Sequence, residues 1–349
     1  MRWRGTDLII DRHAPRMPIT HSERRRPSWK NIQSYSSLRA KIRHWCLSSQ
    51  FDSFKITELP GSVYLSPLLS VGAKPDGKPS GFCLTLLCYV KFWRMSMLGL
   101  PVSGQIACTL CHIGSVDFGR TVRTEGDWRI TANPLAWGNP NAEIVVLGFS
   151  KGPTQLSALA TKAHNEIPYA GGRANIGKIF ARLELISSGN NAHYNREVSG
   201  LISDRDGRFH FGSLIRCSAE QNQAGKWSGT KGGMLDKFAR SQLGSEVTKN
   251  CTGKFLGDLP SRTRLVLMFG TGSKLNYVRS CREAISAARP GNWKIINDVA
   301  YTDGKITVVH TEHFKSQGSL LPDWLDPHSI RGRLGIAAHN AVKQALAQN

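Results

Sequence analysis

An α/β fold is expected, a three-layer α/β/α sandwich around a central, mostly parallel four-stranded sheet. Three observations predict it. The first is residues 143–152, EIVVLGFSKG. Positions 144–147 form a short apolar run rich in β-branched residues, the pattern of a strand buried on both faces under helices. The second is a similar run at 264–270, RLVLMFG, which also ends in glycine. The third is the alternation of strand and helix patterns through the second half of the chain, which places a sheet between helical layers.

The elements follow in order. Gly148 ends the first strand, and Gly152-Pro153 opens a helix over 154–162. Open α/β sheets place ligands at the carboxyl ends of strands, where helix-start amides favour a phosphate or an oxyanion. The alternative is an ordinary strand-to-helix turn. Ser150 and Lys151 in that turn are candidates to contact phosphate or base; the alternative is plain solvent exposure. A helix over 174–186, ANIGKIFARLELI, puts Ile176, Ile179, Phe180 and Leu183 on one face. A strand over 209–216, FHFGSLIR, leads to Cys217. A polar, Gly-rich insert occupies about 218–233, and a helical region follows over 234–258. After the strand at 264–269 and its Gly270-Thr271-Gly272 end, a helix runs to about 288. Short strands are expected near 293–296 and at 305–310, KITVVH, and a last helix over 331–347. No internal repeat is visible.

Composition narrows the class. With 349 residues, 40% of them hydrophobic, the chain can bury a substantial core. Its formal net charge is +21. Residues 1–96 hold 16 Lys and Arg against 6 Asp and Glu, and the remainder 30 against 19, so the C-terminal part is basic in its own right. A basic folded domain points to a polyanionic partner, most often nucleic acid. Residues 1–94 are rich in Arg, Ser and Pro without a sustained helix or strand period. They read as a poorly structured basic extension, either preceding a true start at Met95 or Met97 or adding non-specific DNA affinity. The opening MRWRGTDLIIDRH lacks the apolar core of a secretory leader. The strongest apolar run, 82–90, is too short for a bilayer and is followed by Lys91 and Arg94. A cytoplasmic protein is therefore expected, acting as a monomer and without a membrane.

In that compartment cysteines serve more often as metal ligands or free thiols than as disulfides. There are eight: Cys46, Cys83, Cys88, Cys108, Cys111, Cys217, Cys251 and Cys281. Cys108 and Cys111 form a C-x-x-C, Cys217 follows a strand, and Cys251 lies in a helical region. Four such thiolates suit a Zn site or an iron–sulfur cluster; the alternative is buried free cysteines.

Taken in order, these motifs resemble the uracil-DNA glycosylase superfamily, most closely its iron–sulfur branch (families four and five). In that branch a C-x-x-C precedes the first strand, a strand ends in a Gly-rich motif, and a P-F-x-G-x-A-G helix start follows. Here Pro168-Tyr169-Ala170-Gly171-Gly172-Arg173-Ala174 occupies the last position. Ser213-Leu214-Ile215-Arg216-Cys217 is similar to the branch's N-x-x-x-C, and Thr311-Glu312-His313-Phe314-Lys315 to the superfamily's T-A-H-P-S. The resemblance covers roughly residues 105–345. It implies a 4Fe–4S cluster, with Zn as the alternative, on Cys108, Cys111, Cys217 and Cys251; Cys46, Cys83, Cys88 and Cys281 are left as non-ligands.

The activity implied is hydrolysis of the N-glycosidic bond of a flipped uracil or other damaged base in single- or double-stranded DNA. His313 is the first candidate to donate a hydrogen bond to the departing base, and His310 the second. Tyr169 holds the place of the base-stacking aromatic. Gly148, Phe149, Ser150, Lys151 and Ser213 complete the expected substrate site, and residues 315–317 fall where the superfamily places its DNA-penetrating loop. Three positions depart from the pattern. Phe149 replaces the polar or acidic residue after the glycine, Ser213 replaces the base-reading Asn, and Phe314 replaces a Pro. Glu312 is the nearest substitute carboxylate. These departures keep two other readings open: a non-catalytic nucleic-acid binder on the same fold, and a Zn-bound hydrolase acting on a small nucleotide.

Overall fold

The structure, a computed structural model, describes residues 54–59, 62–67, 99–229, 234–316 and 318–347. The chain divides into two units, Met1–Cys83 and Leu84–Asn349. In the first, β1 (Phe54–Leu59) pairs antiparallel with β2 (Ser62–Pro67). This hairpin falls where no strand period was expected. Each strand has only six residues, too short a signal to stand out among Arg, Ser and Pro. The rest of the expected extension, with Cys46, Cys83, Cys88, Met95 and Met97, lies outside the described residues.

The second unit is mixed α/β, built on an eight-stranded sheet. Its middle is β14 (Thr307–Thr311), β11 (Leu265–Phe269), β7 (Ile144–Gly148) and β8 (Phe209–Ser213), paired parallel in that spatial order. Antiparallel strands extend both sides: β13 (Ala300–Thr302) and β12 (Lys294–Asn297) beyond β14, β6 (Leu135–Gly138) and β3 (Gly104–Gln105) beyond β8. The sheet is thus twice as wide as expected. The added strands next to the parallel ones have only four and three residues, below the length at which a period shows.

Successive residues of the parallel strands point to opposite faces. Ile144 and Val146 join Leu265, Leu267, Phe269 and Val309 in one apolar core. That core is closed by α2 (Arg173–Arg182), α3 (Asn191–Ser203) and α8 (Gly332–Ala347). Val145 and Leu147 join Val266, Met268 and Val308 in a second core, closed by α6 (Asn276–Ala288). Helices α2 and α3 approach closely at Gly177, where a Cβ would overlap the Tyr194 side chain.

A third core lies under a separate antiparallel sheet, ordered β10 (Lys226–Ser228), β9 (Ser218–Gln223), β5 (Trp128–Thr131), β4 (Val122–Glu125). Two of these strands occupy the region expected to be a polar insert. Their sequence hides them because β9 carries polar residues at 220–223. This core packs Trp128, Ile130 and Ala219 against α4 (Met234–Arg240) and α5 (Gln242–Leu256).

Several boundaries shorten. The helix after β7, α1, is only Pro153–Ala158. Helix α2 stops at Arg182, and Glu184 just beyond it adopts φ 58°. Strand β8 ends at Ser213. Leu214 and Ile215 then donate to the carbonyls of Gly148 and Phe149, both at 2.8 Å, and wrap the turn after β7. Helix α7 (Leu320–Leu325) precedes α8. Among the described residues no helix is long and apolar enough to cross a membrane.

Candidate functional site

The parallel strands bring their carboxyl ends to one edge, as their order requires. Gly148 and Ser213 are register partners, and so are Phe269 and Thr311. Ser213 is buried there, and Ser150 half-buried in the turn. The space before Gly148 is clear: a Cβ built there meets no heavy atom within 4 Å.

The loop after β14 closes over this edge. Lys315 Nζ donates to Thr154 Oγ1 at 3.4 Å, reaching the turn after β7. Asn175 Nδ2, on α2, donates to the Phe314 carbonyl at 2.9 Å. The Phe314 ring packs so tightly on Gly172 that a Cβ there would overlap it. Three segments distant in sequence therefore meet: the turn after β7, residues 168–175, and the His313 loop.

His313 is partly accessible in that loop and stacks on Phe314, with ring centroids 4.6 Å apart. Its Nδ1 accepts the backbone amide of Lys315 at 3.2 Å. A nitrogen that accepts from an amide carries no proton, so the neutral ring holds its hydrogen on Nε2. Burial lowers its pKa from the ordinary value, against the pull of the Glu312 carboxylate. His313 is thus a neutral donor, and Nε2 has no hydrogen-bond partner among the described residues.

Glu312 holds the loop. Its Oε1 accepts the His313 amide at 3.0 Å and the Ser316 hydroxyl at 2.6 Å. Its Oε2 accepts Arg331 Nη1 at 2.5 Å. These three donors make it a clamp, not the free carboxylate expected of a base. His310 is also corrected. Fully buried on β14, it faces the second core between Tyr277 and Tyr301. Nδ1 lies 3.0 Å from the Gly270 carbonyl, and burial lowers its pKa to about 4. It is a core histidine.

Tyr169 adopts a left-handed backbone (φ 58°) and is only 6% exposed. Its hydroxyl donates to the Gly212 carbonyl at 3.3 Å. Its ring meets the edges of Phe211, Phe269 and Phe314, with centroids 5.3 to 6.1 Å away. The expected stacking ring is therefore enclosed by its own neighbours. Phe149 turns away from the strand edge as well, packing on Phe238 in the third core at 6.0 Å.

Cys217 lies four residues beyond the end of β8, and Cys251 lies on α5. Arg123 forks onto Glu246 of α5, both contacts 2.8 Å, and donates to the Cys111 carbonyl at 3.1 Å. Asn250, beside Cys251, donates to Cys111 Sγ at 3.5 Å. The C-x-x-C is so fastened to the helix that bears Cys251. Burial pushes the Cys111 thiol up to about 11, and charges at Cys217 and Cys108 add to that. Burial likewise pushes Cys251 to about 12, with Cys111, Cys217 and Cys108 adding to it. Among the described residues, no group of three or more His, Cys, Asp or Glu side chains could hold a metal ion. His112, next to Cys111, has both ring nitrogens buried without a partner among the described residues.

Two cations adjoin these thiols. Lys151 and Arg216 are each 1% exposed. Lys151 Nζ donates to the Arg216 carbonyl. Burial lowers Lys151 to about 8, while Cys217 and Cys251 pull it up. Burial lowers Arg216 to about 10, opposed by Cys251 and Tyr169. Lys151 is therefore neither solvent-exposed nor aimed at a phosphate, the two roles expected for it. Arg216 was missed: an Arg at a strand end reads as surface, and nothing in the sequence distinguishes it. A groove of about 660 Å³, lined by Thr248, Asn250 and Ala284 among others, contains none of the strand-edge residues. No model of a known protein family matches the chain, and no characterised protein matches it either.

Proposed function

We propose that this chain is a DNA base-excision glycosylase on a three-layer α/β/α fold similar to that of the uracil-DNA glycosylases. One observation carries the reading. His313, held neutral with its proton on Nε2, sits in a loop that closes over the Gly148–Ser213 strand edge. Breaking an N-glycosidic bond sends its electron pair to the base, which departs as an anion. A neutral donor placed for that charge stabilises it as it develops, the oxyanion-type effect. The sugar becomes cation-like, water bonds to its anomeric carbon, and the water's proton passes to solvent. No carboxylate stands at the turn to orient that water, because Phe149 occupies the position. A dissociative reaction with a good leaving group tolerates this loss.

Cys108, Cys111, Cys217 and Cys251 would hold the 4Fe–4S cluster, or Zn in its place. The support is the chemistry of the donor set, four cysteines of which two form a C-x-x-C. When bound, the group supplies a structural cross-link between the C-x-x-C segment, the end of β8 and α5. The surplus of basic residues supports a DNA partner.

The test is incubation of the full chain with uracil-containing single-stranded DNA, followed by alkali. Strand breaks at uracil support the reading. Absence of abasic product from uracil, hypoxanthine and xanthine alike sinks it. The enclosed Tyr169 ring and the turned-away Phe149 favour a second reading, a non-catalytic nucleic-acid binder on the same fold. Salt-dependent DNA binding without turnover is its signature.

A further inference from the structure

Helix α5 carries Ser245, Thr248, Lys249, Thr252 and Gly253 at the spacing of a single helical stripe. Helix α6 carries Ala284, Ala287 and Ala288 in the same way. Both helices bury their large residues elsewhere, α5 in the third core and α6 in the second. The two stripes line one open groove of about 660 Å³, with Leu110, 53% exposed, at its wall. Two features of its floor have no use within the fold. Gly253 lies inside a helix, where glycine is markedly less favourable than alanine. Its backbone does not require glycine, and a Cβ built there meets nothing within 4 Å. The missing side chain keeps the floor open without admitting any neighbour from this chain. Thr248 is only 7% exposed, and its hydroxyl has no hydrogen-bond partner among the described residues. Thr252, one turn on, bonds back to the Thr248 carbonyl at 2.8 Å, the usual resort of a helical threonine. The Thr248 hydroxyl is left for a group that enters the groove. The rim sets the sign of that group: Lys249 and Lys254 line it, both exposed, and no Asp or Glu does.

We propose that the groove along α5 and α6 docks an acidic amphipathic segment of a partner protein. Apolar side chains of the segment lie on the glycine and alanine floor, against Leu110. Its carboxylates meet Lys249 and Lys254, and one of its oxygens accepts the Thr248 hydroxyl. An open groove running along two helices suits a peptide, which touches it over its length, whereas small molecules favour enclosed cavities. Complementary charge at the rim selects the acidic partner and speeds the encounter, and the apolar floor holds it. This docking stands apart from base excision and needs neither the strand edge nor a metal.

The experiment follows, by fluorescence anisotropy, the binding of the full chain to a labelled synthetic peptide of alternating leucine and glutamate pairs. A second peptide carries alanine in place of leucine. Gly253→Leu fills the floor and improves helix propensity, so it is expected to melt no lower than wild type while losing affinity by about tenfold or more. Reversing both rim charges, Lys249→Glu with Lys254→Glu, is expected to weaken binding by about tenfold or more. Thr248→Val, which keeps the shape and removes the hydroxyl, is expected to cost about fivefold, the worth of one neutral hydrogen bond. The alanine peptide is expected to bind far more weakly than the leucine peptide. Wild-type affinity in Gly253→Leu, or equal binding of the two peptides, overturns the proposal, because attraction to the chain's net charge would then account for the binding. A wild-type chain that binds neither peptide overturns it as well.

Discussion

The backbone amide of Lys315 points at Nδ1 of His313, 3.2 Å away. A two-residue step in one loop thereby fixes which ring nitrogen carries the proton. Protonating the ring would put a hydrogen on Nδ1, facing the amide, and spoil the contact. Because burial already lowers the His313 pKa below 6.5, the ring is neutral at pH 7. Base excision is expected to be flat from pH 8 to 7 and to fall on the acid side of pH 6.5. A profile that rises toward acid would show that imidazolium is the working form.

The Glu312 clamp makes a separable claim. Glu312→Ala removes acceptors from three donors while leaving His313 in place. Hydrogen bonds to a buried charged group are worth about 1.5–3 kcal/mol, and the half-exposed Arg331 end contributes at the low side of that. A stability loss of about 2 kcal/mol is expected in urea melts. The acid limb of the pH profile should move to lower pH, because the carboxylate that raises the His313 pKa is gone. Loss of a pH limb in Glu312→Gln would instead make Glu312 a base.

How much of this was legible? The parallel strands were, because β7 and β11 are unbroken apolar runs that close on Gly148 and Gly270. That Tyr169, Ser213 and the His313 loop share one site was expected from the resemblance alone; Ser213 does pair with Gly148, while the Tyr169 ring is enclosed by its neighbours. The short flanking strands were not legible, nor was the antiparallel sheet, whose β9 carries polar residues at 220–223. The inward aim of Lys151 and Arg216 was invisible for another reason. Lys and Arg ordinarily place their charge in water, and only the three-dimensional neighbourhood reverses that expectation. His310 and His313 could not be ranked by burial from sequence, since they lie three residues apart at the end of one apolar strand.

His310 gives a stability signature of its own. Its folded-state pKa is about 4 against an ordinary 6.5. Between those values the unfolded chain binds the proton and the folded chain does not, so stability is full above pH 6.5 and is lost as pH falls toward 4. The loss amounts to about 3 kcal/mol at most. Melting of His310→Gln between pH 7 and 4 should be flatter than wild type. Parallel curves would mean that His310 is not the group responsible.

The cysteines offer a paired control. Cys251 lies on α5 next to Asn250, which donates to Cys111 Sγ, whereas Cys281 is buried in the second core on α6. Cys251→Ser is expected to lose bound metal and any visible absorption, and Cys281→Ser to keep both. Equal metal content in the two variants would remove Cys251 from the cage.

The most direct test of the proposed base-excision site is single-turnover cleavage of uracil-containing DNA by wild type, His313→Gln and His310→Gln side by side. The expected result is a loss of about 10²–10³ for His313→Gln, the effect of deleting one oxyanion-type donor, with His310→Gln within a few-fold of wild type. Equal rates for wild type and His313→Gln, or a loss confined to His310→Gln, would contradict the account.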